Sequence, residues 1–227
     1  PPRSSSSAAS DVYKRQKVDR SLELPTFTKK DIEVFKIANQ LKLSTIFLSF
    51  CSNSTDVVAI RKYFDDHVDI ISKVESGSAL QNLSDICKES DGILIDRGDL
   101  SRDVSIEKIA FAQNYIIKES LKQKVPVFVA TNLVESMIQN KEPTRAEIND
   151  IISILFSGAS GLVLAAETAI GKYPSLCVEF VNRLILEFES GFPKDSVDYL
   201  LSDSIGNLIR PHGGSLIQQF ENIKNQI

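Results

Sequence analysis

The sequence lacks the features that mark membrane proteins, zinc or disulfide-exchange proteins, and nucleic-acid-binding proteins. No apolar run among its 227 residues is long enough to span a bilayer, and no signal-peptide core is visible. Its three cysteines are widely spaced and form no CxxC pair, which indicates neither a zinc site nor a redox motif and favours a reducing, cytoplasmic setting. The net charge of −4 carries no strong bias toward a nucleic-acid or anionic-membrane partner.

The chain does contain a regular alternation of apolar runs and amphipathic stretches. Hydrophobic residues make up 42% of it, enough to bury a core over most of its length. Five short runs rich in branched residues predict buried parallel strands. They cover residues 45–50, 69–74, 92–96, 125–131 and 161–166. Apolar stripes with helical spacing lie within 106–121, 148–155 and 176–188. The alternation predicts an α/β fold with about five strand–helix units of a partial (β/α)8 TIM barrel.

The two ends of the chain depart from this pattern. Residues 1–16 have no apolar period, resemble translated adapter sequence and are predicted to be disordered; a genuine flexible tail is the alternative. Residues 17–192 form the predicted barrel fragment. The tail 193–227 is a possible start of a further domain, because residues 208–216 resemble the opening of sulfate adenylyltransferase. A simple turn with a surface histidine is the alternative there.

Five short motifs, all in one order, carry the clearest functional signal. They are Ile71–Glu75 (ISKVE), Asp91–Leu100 (DGILIDRGDL), Val129–Met137 (VATNLVESM), Pro143–Glu147 (PTRAE) and Glu167–Pro174 (ETAIGKYP). Each is weak alone, but together they resemble the second half of the catalytic barrel of pyruvate kinase, from about residue 24 to about residue 189. The resemblance implies a fragment that lacks the first barrel strands and the lid domain inserted after them.

Lys73 and Glu75 lie two residues apart at the end of a predicted strand, so their side chains share a face. A lysine and a carboxylate buried together are costly unless they pair or bind something, and a mutual salt bridge at a barrel mouth is the simplest alternative. The resemblance implies that Lys73 stabilises the phosphoryl group during its transfer and that Glu75 binds a divalent cation.

Gly98 and Asp99 follow the next predicted strand, and Thr131 ends the predicted strand after it. Asp99 is predicted as the second carboxylate on the metal, since two carboxylates suit Mg²⁺ or Mn²⁺; a plain helix cap is the alternative. The backbone amides of Gly98 and Asp99 at a helix start predict an anion site. The resemblance implies that this site receives the substrate carboxylate. Thr131 is predicted to bind the same carboxylate, although strand-end threonines are common without any role. The resemblance implies that Thr131 also organises a proton transfer.

Arg97, Arg145 and Glu167 are predicted to have supporting or interface roles. Arg145 stands in the motif that lies near a subunit interface in the resembled family, and a salt bridge with Glu147 is the alternative. Glu167 follows the last strand and is predicted to support the site from behind.

The resemblance implies transfer of a phosphoryl group from phosphoenolpyruvate to ADP, which gives pyruvate and ATP. Catalysis of such a transfer is mainly positioning and electrostatics, for which a fixed lysine and a divalent ion are suited. K⁺ is expected only in the complete protein, because its usual ligands are not in this fragment. A cytoplasmic homo-oligomer without nucleic-acid or membrane partners is expected. The isolated fragment, with two open strand edges, is expected to be inactive and prone to aggregation.

Several positions depart from the family pattern. Asp96 stands where a small residue is usual, Ser101 where a glycine is usual, and Asn132 where a glutamine is usual. The additional carboxylate of Asp96 is predicted to weaken binding of a substrate anion. Two alternatives therefore stay open: a diverged, non-catalytic scaffold or regulatory domain of a fusion protein, and a different Mg²⁺-dependent barrel enzyme such as a citrate-lyase-type aldolase.

Overall fold

The computed structural model describes residues 27–65 and 67–190. The predicted N-terminal segment 1–16 and the tail 193–227, with its resemblance to sulfate adenylyltransferase, lie outside the described residues. The strands are β1 (Thr45–Leu48), β2 (Asp69–Val74), β3 (Gly92–Asp96), β4 (Val127–Ala130) and β5 (Gly161–Val163). The α-helices are α1 (Lys29–Gln40), α2 (Ser54–Arg61), α3 (Gly77–Gln81), α4 (Leu83–Glu89), α5 (Arg97–Leu100), α6 (Ile106–Lys122), α7 (Arg145–Phe156), α8 (Ala166–Ala169) and α9 (Pro174–Glu189). A 3₁₀-helix, Glu135–Ile138, precedes α7.

All five strands pair in parallel, in the order β1-β2-β3-β4-β5. Neighbouring strands in the sheet are therefore also consecutive in the chain. The register places Phe47 beside Ile71 and Ile71 beside Gly92. Parallel strands joined by helices are the repeating unit of a (β/α)8 barrel. The predicted α/β fold, with five units of a partial barrel, is confirmed, and the carboxyl ends of the five strands meet at one edge of the sheet.

Three strands are shorter than the sequence pattern predicts. β1 ends at Leu48, because Phe50 has a left-handed backbone with φ of 54°. β4 ends at Ala130, because Thr131 (φ 67°) and Asn132 (φ 55°) also adopt that conformation. β5 stops at Val163. Thr131 therefore follows its strand and does not end it, and the turns of the chain begin earlier than expected.

The main core lies between the helices and one face of the sheet. Strand residues such as Ile70, Ile93 and Val129 are fully buried there against residues of the surrounding helices. Three helices, α1, α2 and α7, begin at capping boxes in which Thr28, Asn53 and Thr144 pair with a carboxylate three residues on. None of the described helices is both long enough and apolar enough to cross a membrane.

The stripe predicted within 106–121 forms α6, but its ends are wrong. Ile116 and Ile117 are fully buried as predicted, whereas Ile106 is 75% exposed and Leu121 is 46% exposed. Ile106 is the first residue of the helix. Leu121 lies one residue past the last buried position, which turns it by about 100° around the helix axis.

The opposite face of the sheet carries a smaller apolar cluster. Its buried members are Ile71, Leu94 and Ala130, with Phe128 and Val163 packed against them. Phe47 points to this same face through its register with Ile71, yet it is 52% exposed on the outer strand β1. Lys73 and Asp96 lie further along this face, near the carboxyl ends of β2 and β3.

Candidate active site

Lys73, Glu75 and Asp96 form a charged cluster at the carboxyl ends of β2 and β3. The Lys73 Nζ lies 2.5 Å from Glu75 Oε1 and 3.3 Å from Asp96 Oδ2. Burial opposes the charged form of Lys73, but the two ion pairs outweigh it and raise the pKa of the ammonium. Lys73 is therefore a fixed positive charge at neutral pH, placed between two carboxylates.

Asp99 joins the cluster from the first turn of α5. One carboxylate oxygen each of Glu75, Asp96 and Asp99 lies within 4.8 Å of the others. A second cation flanks this group, because Arg102 Nη2 lies 2.5 Å from Asp99 Oδ1. The structure thus brings Glu75 and Asp99 together, as the sequence predicts for a shared metal, and adds Asp96 to them.

Glu75 is the most deeply buried member of the cluster, at 4% exposure. Its Oε2 accepts a 2.5 Å hydrogen bond from the backbone N–H of Phe50, the left-handed residue after β1. Its Oε1 is buried, and the Lys73 ammonium at 2.5 Å is its one partner among the described residues. Buried carboxylate oxygens normally accept hydrogen bonds or bind metals. An oxygen in this state suits a divalent cation.

The donor set also fits Mg²⁺ or Mn²⁺, both of which take oxygen ligands. The three carboxylates converge at strand ends, and the most shielded of them, Glu75, already has a cation as the partner of its buried Oε1. The side chains present therefore fit the ion that the sequence pattern implies.

The backbone amides predicted to bind an anion are engaged within the protein. The N–H of Gly98 donates to Thr131 Oγ1 at 3.0 Å, and the N–H of Asp99 donates to Asp96 Oδ1 at 3.3 Å. The Thr131 hydroxyl in turn donates to the carbonyl of Ala130. Gly98, Asp99 and Thr131 therefore lie together, as predicted, but an incoming carboxylate must replace Thr131 or Asp96 as the acceptor.

Arg97 connects this site to the loop after β4. Its Nη2 and Nε donate to the carbonyl of Thr131 at 2.6 and 3.1 Å, and Nη2 also donates to the carbonyl of Asn132. Its Nη1 lies 2.6 Å from Asp150 Oδ2 on α7. The side chain of Arg97 is only 12% exposed, so these contacts are well shielded. The supporting position predicted for Arg97 has this structural basis.

Arg145 and Glu147 do not form the salt bridge that was the alternative for this motif. Glu147 accepts instead from the N–H and hydroxyl of Ser136 at 2.7 and 2.6 Å, and from the N–H and hydroxyl of Thr144. Burial opposes ionisation of Glu147, but these hydrogen bonds outweigh it and lower its pKa. Arg145 is exposed at the start of α7.

Glu167 is 1% exposed and ties two loops together behind the cluster. Its Oε1 accepts from the N–H groups of Leu133 and Val134, and its Oε2 accepts from that of Ala165. The supporting role of Glu167 stays a prediction.

Sequence reasoning missed two features of the site. Asp96 was noted only as a charge that weakens anion binding, whereas it pairs with Lys73 and accepts from the amide of Asp99. Asp150 was not singled out, because its partner Arg97 lies 53 residues earlier in the chain. The one available signal for Asp96 was a third acid in the same strand-end motif as Asp99.

Comparison with known proteins places this geometry in a family context. The profile of the family described as "Pyruvate kinase, barrel domain" matches residues 9–178. The chain is 39% identical over 171 residues to a pyruvate kinase from Thermotoga maritima, covering 74% of this chain and 37% of that protein. It is 35% identical over 190 residues to a pyruvate kinase from Leishmania mexicana, covering 82% of this chain and 37% of that protein. It is 36% identical over 182 residues to a cytosolic pyruvate kinase isozyme from Glycine max, covering 78% of this chain and 35% of that protein. The chain thus spans little more than a third of the length of the curated relatives that it matches.

Proposed function

Because the chain belongs to the pyruvate kinase family, we propose that the complete protein transfers a phosphoryl group from phosphoenolpyruvate to ADP and forms pyruvate and ATP. In this proposal the chain contributes Lys73, Glu75, Asp99 and Thr131 to the reaction. The observation that carries it is the convergence of Lys73 with three carboxylates at the strand ends where barrel enzymes hold their catalytic groups.

Lys73 stabilises the phosphoryl group between donor and acceptor. The transferring group spreads negative charge over its equatorial oxygens, and a fixed ammonium is worth most at that moment. The rigid support of Lys73 favours this role, because two ion pairs hold Nζ at the carboxyl ends of the strands. Transfer requires Nζ to exchange one of these carboxylates for a phosphoryl oxygen.

Glu75 and Asp99 hold the divalent cation, Mg²⁺ or Mn²⁺. The ion supplies positive charge that draws substrate oxygens together and offsets the charge that develops during transfer. Glu75 is suited to hold it because its buried Oε1 already pairs with a cation, the Lys73 ammonium. We assign no K⁺ ligand to this chain and expect K⁺ only in the complete protein.

The substrate carboxylate binds at the amides of Gly98 and Asp99, with Thr131 as its hydroxyl partner. The N–H of Gly98 donates to the Thr131 hydroxyl at 3.0 Å and the N–H of Asp99 donates to Asp96 at 3.3 Å, so a carboxylate that binds both amides replaces both acceptors. Thr131 then organises the proton that reaches the methylene carbon when pyruvate forms. Its left-handed backbone fixes the hydroxyl beside α5.

A cytoplasmic setting and a homo-oligomeric complete protein belong to the same proposal. All three cysteines are buried free thiols, which is usual for a reducing compartment. Burial raises the pKa of Cys51 to about 11, so this thiol stays protonated. Arg145, exposed at the start of α7, is the proposed interface residue.

A non-catalytic scaffold is the second candidate, and one observation favours it. Asp96 occupies both groups that the substrate needs, because its two oxygens contact Lys73 and the amide of Asp99. A domain in which this carboxylate cannot move aside retains the fold of the family without its reaction.

A coupled assay of pyruvate formation across a Mg²⁺ titration tests the proposal in the full-length protein. Lys73→Met is expected to lower kcat by about 10²–10³-fold, more than it raises KM, without weakening cation binding. Asp99→Asn is expected to shift the Mg²⁺ requirement upward, because a neutral amide is a poorer ligand for a hard cation.

Lys88→Met is the matched control, since Lys88 pairs with Asp85 on the exposed side of α4 and lies outside the cluster. It is expected to leave turnover unchanged. Absence of pyruvate formation by the unsubstituted protein favours the scaffold, and full activity of Lys73→Met refutes the role assigned to Lys73.

A further inference from the structure

The charges around the carboxylate cluster balance in an unexpected way. Lys73 contacts Glu75 and Asp96, and Arg102 contacts Asp99, so two positive groups face three carboxylates. Without Asp96 the two positive groups would cancel Glu75 and Asp99, and the cluster would carry no net charge to attract a cation. With Asp96 it carries one net negative charge.

We propose that Asp96 is a third carboxylate ligand of the divalent cation, beside Glu75 and Asp99. The inference takes the Glu75–Asp99 metal pair from the proposed function and adds a ligand to it. One oxygen of each residue lies within 4.8 Å of the others, and opposite oxygen ligands of Mg²⁺ are about 4.2 Å apart, so a small closing of the side chains would let a single ion contact all three.

The buried oxygen of Glu75 is the independent observation that points to a ligand. The Glu75 side chain is 1% exposed, and among the described residues the one partner of its Oε1 is already a cation, the Lys73 ammonium 2.5 Å away. With a divalent cation bound, Glu75 and Asp96 would direct to it the oxygens that now pair with Lys73 Nζ. Lys73 would then be free to contact a phosphoryl oxygen.

Asp96 has a second contact that makes the test clean. Its Oδ1 accepts from the N–H of Asp99 and caps α5. Asparagine is an equally good helix cap, so Asp96→Asn keeps this contact and removes only the charge and the strong oxygen ligand. Asp103→Asn is the matched control: Asp103 is an exposed carboxylate in the segment after α5, accepts from Gly77, and lies outside the cluster.

The experiment is a Mn²⁺ titration of the full-length protein without substrates, read by the electron paramagnetic resonance signal of free Mn²⁺ and followed by displacement with Mg²⁺. Asp96→Asn is expected to weaken Mn²⁺ binding by about tenfold or more, because ligand charge sets the affinity of oxygen sites. Asp103→Asn is expected to stay within about twofold of the unsubstituted protein. Arg102→Gln is expected to tighten binding, because it removes a competing positive charge.

The outcomes separate this inference from the proposed function. If Asp96→Asn binds Mn²⁺ as tightly as the unsubstituted protein while Asp99→Asn does not, Asp96 is only a counter-ion of Lys73, and the Glu75–Asp99 pair stands. If binding depends on Asp96 but no pyruvate forms, the inference stands and the proposed reaction fails. If the unsubstituted protein binds no Mn²⁺, the inference is overturned together with the metal pair.

Discussion

The guanidinium of Arg97 joins three segments that are far apart in the chain. It donates to the carbonyls of Thr131 and Asn132, and its charge pairs with Asp150 on α7. Both of those carbonyls belong to residues with left-handed backbones, a conformation that is unfavourable for residues other than glycine. Arg97 therefore stabilises the loop that holds the Thr131 hydroxyl beside Gly98.

Arg97→Lys is expected to loosen this loop. Lysine has no planar fork of donors, so it cannot reach both carbonyls and Asp150 together. Charged hydrogen bonds of this kind contribute about 1.5–3 kcal/mol each, and local opening of residues 131–138 should become easier by an amount of that order. Hydrogen exchange read by mass spectrometry measures this directly, with the amides of β2 as an internal reference.

Arg145→Lys provides the comparison at an exposed arginine on the first turn of α7. Exposed substitutions of this kind usually change stability by less than about 0.5 kcal/mol. Equal protection of residues 131–138 in the two variants would show that the Arg97 fork does not stabilise the loop.

The residues of the site differ in how far the sequence could predict them. The contact between Lys73 and Glu75 follows from a spacing of two along one strand, which puts both side chains on one face. The contact between Arg97 and Asp150 depends on how α7 packs after one further strand, β4, and no local pattern contains that information. The sequence also could not predict that the amides of Gly98 and Asp99 donate within the protein, because their acceptors depend on the backbone angles of the turns.

A network of hydrogen bonds around Glu147 holds the N-terminus of α7. Its carboxylate closes the capping box with Thr144 and also accepts two hydrogen bonds from Ser136 of the 3₁₀-helix. These bonds lower the pKa of Glu147 from its ordinary value of 4.5, against the effect of burial. One side chain therefore fixes the distance between two helices that follow β4.

Glu147→Gln is expected to destabilise the fold at pH 7 by about 1 kcal/mol, the usual cost of a lost cap. The folded-state pKa is the lower one, so the carboxylate contributes its stability above the unfolded pKa and loses it as pH falls through the folded pKa. The difference between the two proteins should therefore shrink below about pH 4.5. Urea unfolding at pH 7 and at pH 4 measures both values.

Glu142→Gln is the control for this experiment, because Glu142 is exposed in the same connection and accepts none of these four hydrogen bonds. It is expected to unfold as the unsubstituted protein does at both pH values. A difference for Glu147→Gln that stays constant down to pH 4 would argue that the carboxylate charge is not what stabilises the cap.

The sequence predicted the type of the strands better than the residues at which they end. The five strands could be predicted because short apolar runs of branched residues, separated by amphipathic helical stretches, are typical of buried parallel strands. Their ends were misplaced at Phe50 and Thr131, where left-handed backbones stop the strands early. Neither residue type favours that conformation, so the sequence carries no local signal for it.

At the scale of the whole molecule, the two faces of the sheet are covered unequally. The helices pack on one face, and among the described residues the other face has only the small cluster around Ile71, Leu94 and Ala130. The outer strands of the described sheet are β1 and β5, each paired on one side. Phe47 on β1 combines both features, since it lies on an outer strand and is half exposed on the less covered face.

The isolated 227-residue chain is expected to self-associate through this face and edge, because unpaired strand edges and exposed apolar side chains favour pairing between copies. Sedimentation velocity over a range of concentrations measures the association. Phe47→Lys is expected to weaken it by about tenfold or more, since burying a phenylalanine is worth about 1.5–3 kcal/mol and a charge on an edge strand opposes pairing.

Phe111→Lys is the control for this experiment. It removes an aromatic side chain that is even more exposed, at 74%, but lies on α6 on the helical side of the sheet. It is expected to leave association unchanged. If Phe111→Lys disperses the chain and Phe47→Lys does not, the copies meet through the surface of α6, and the uncovered face of the sheet is not what drives them together.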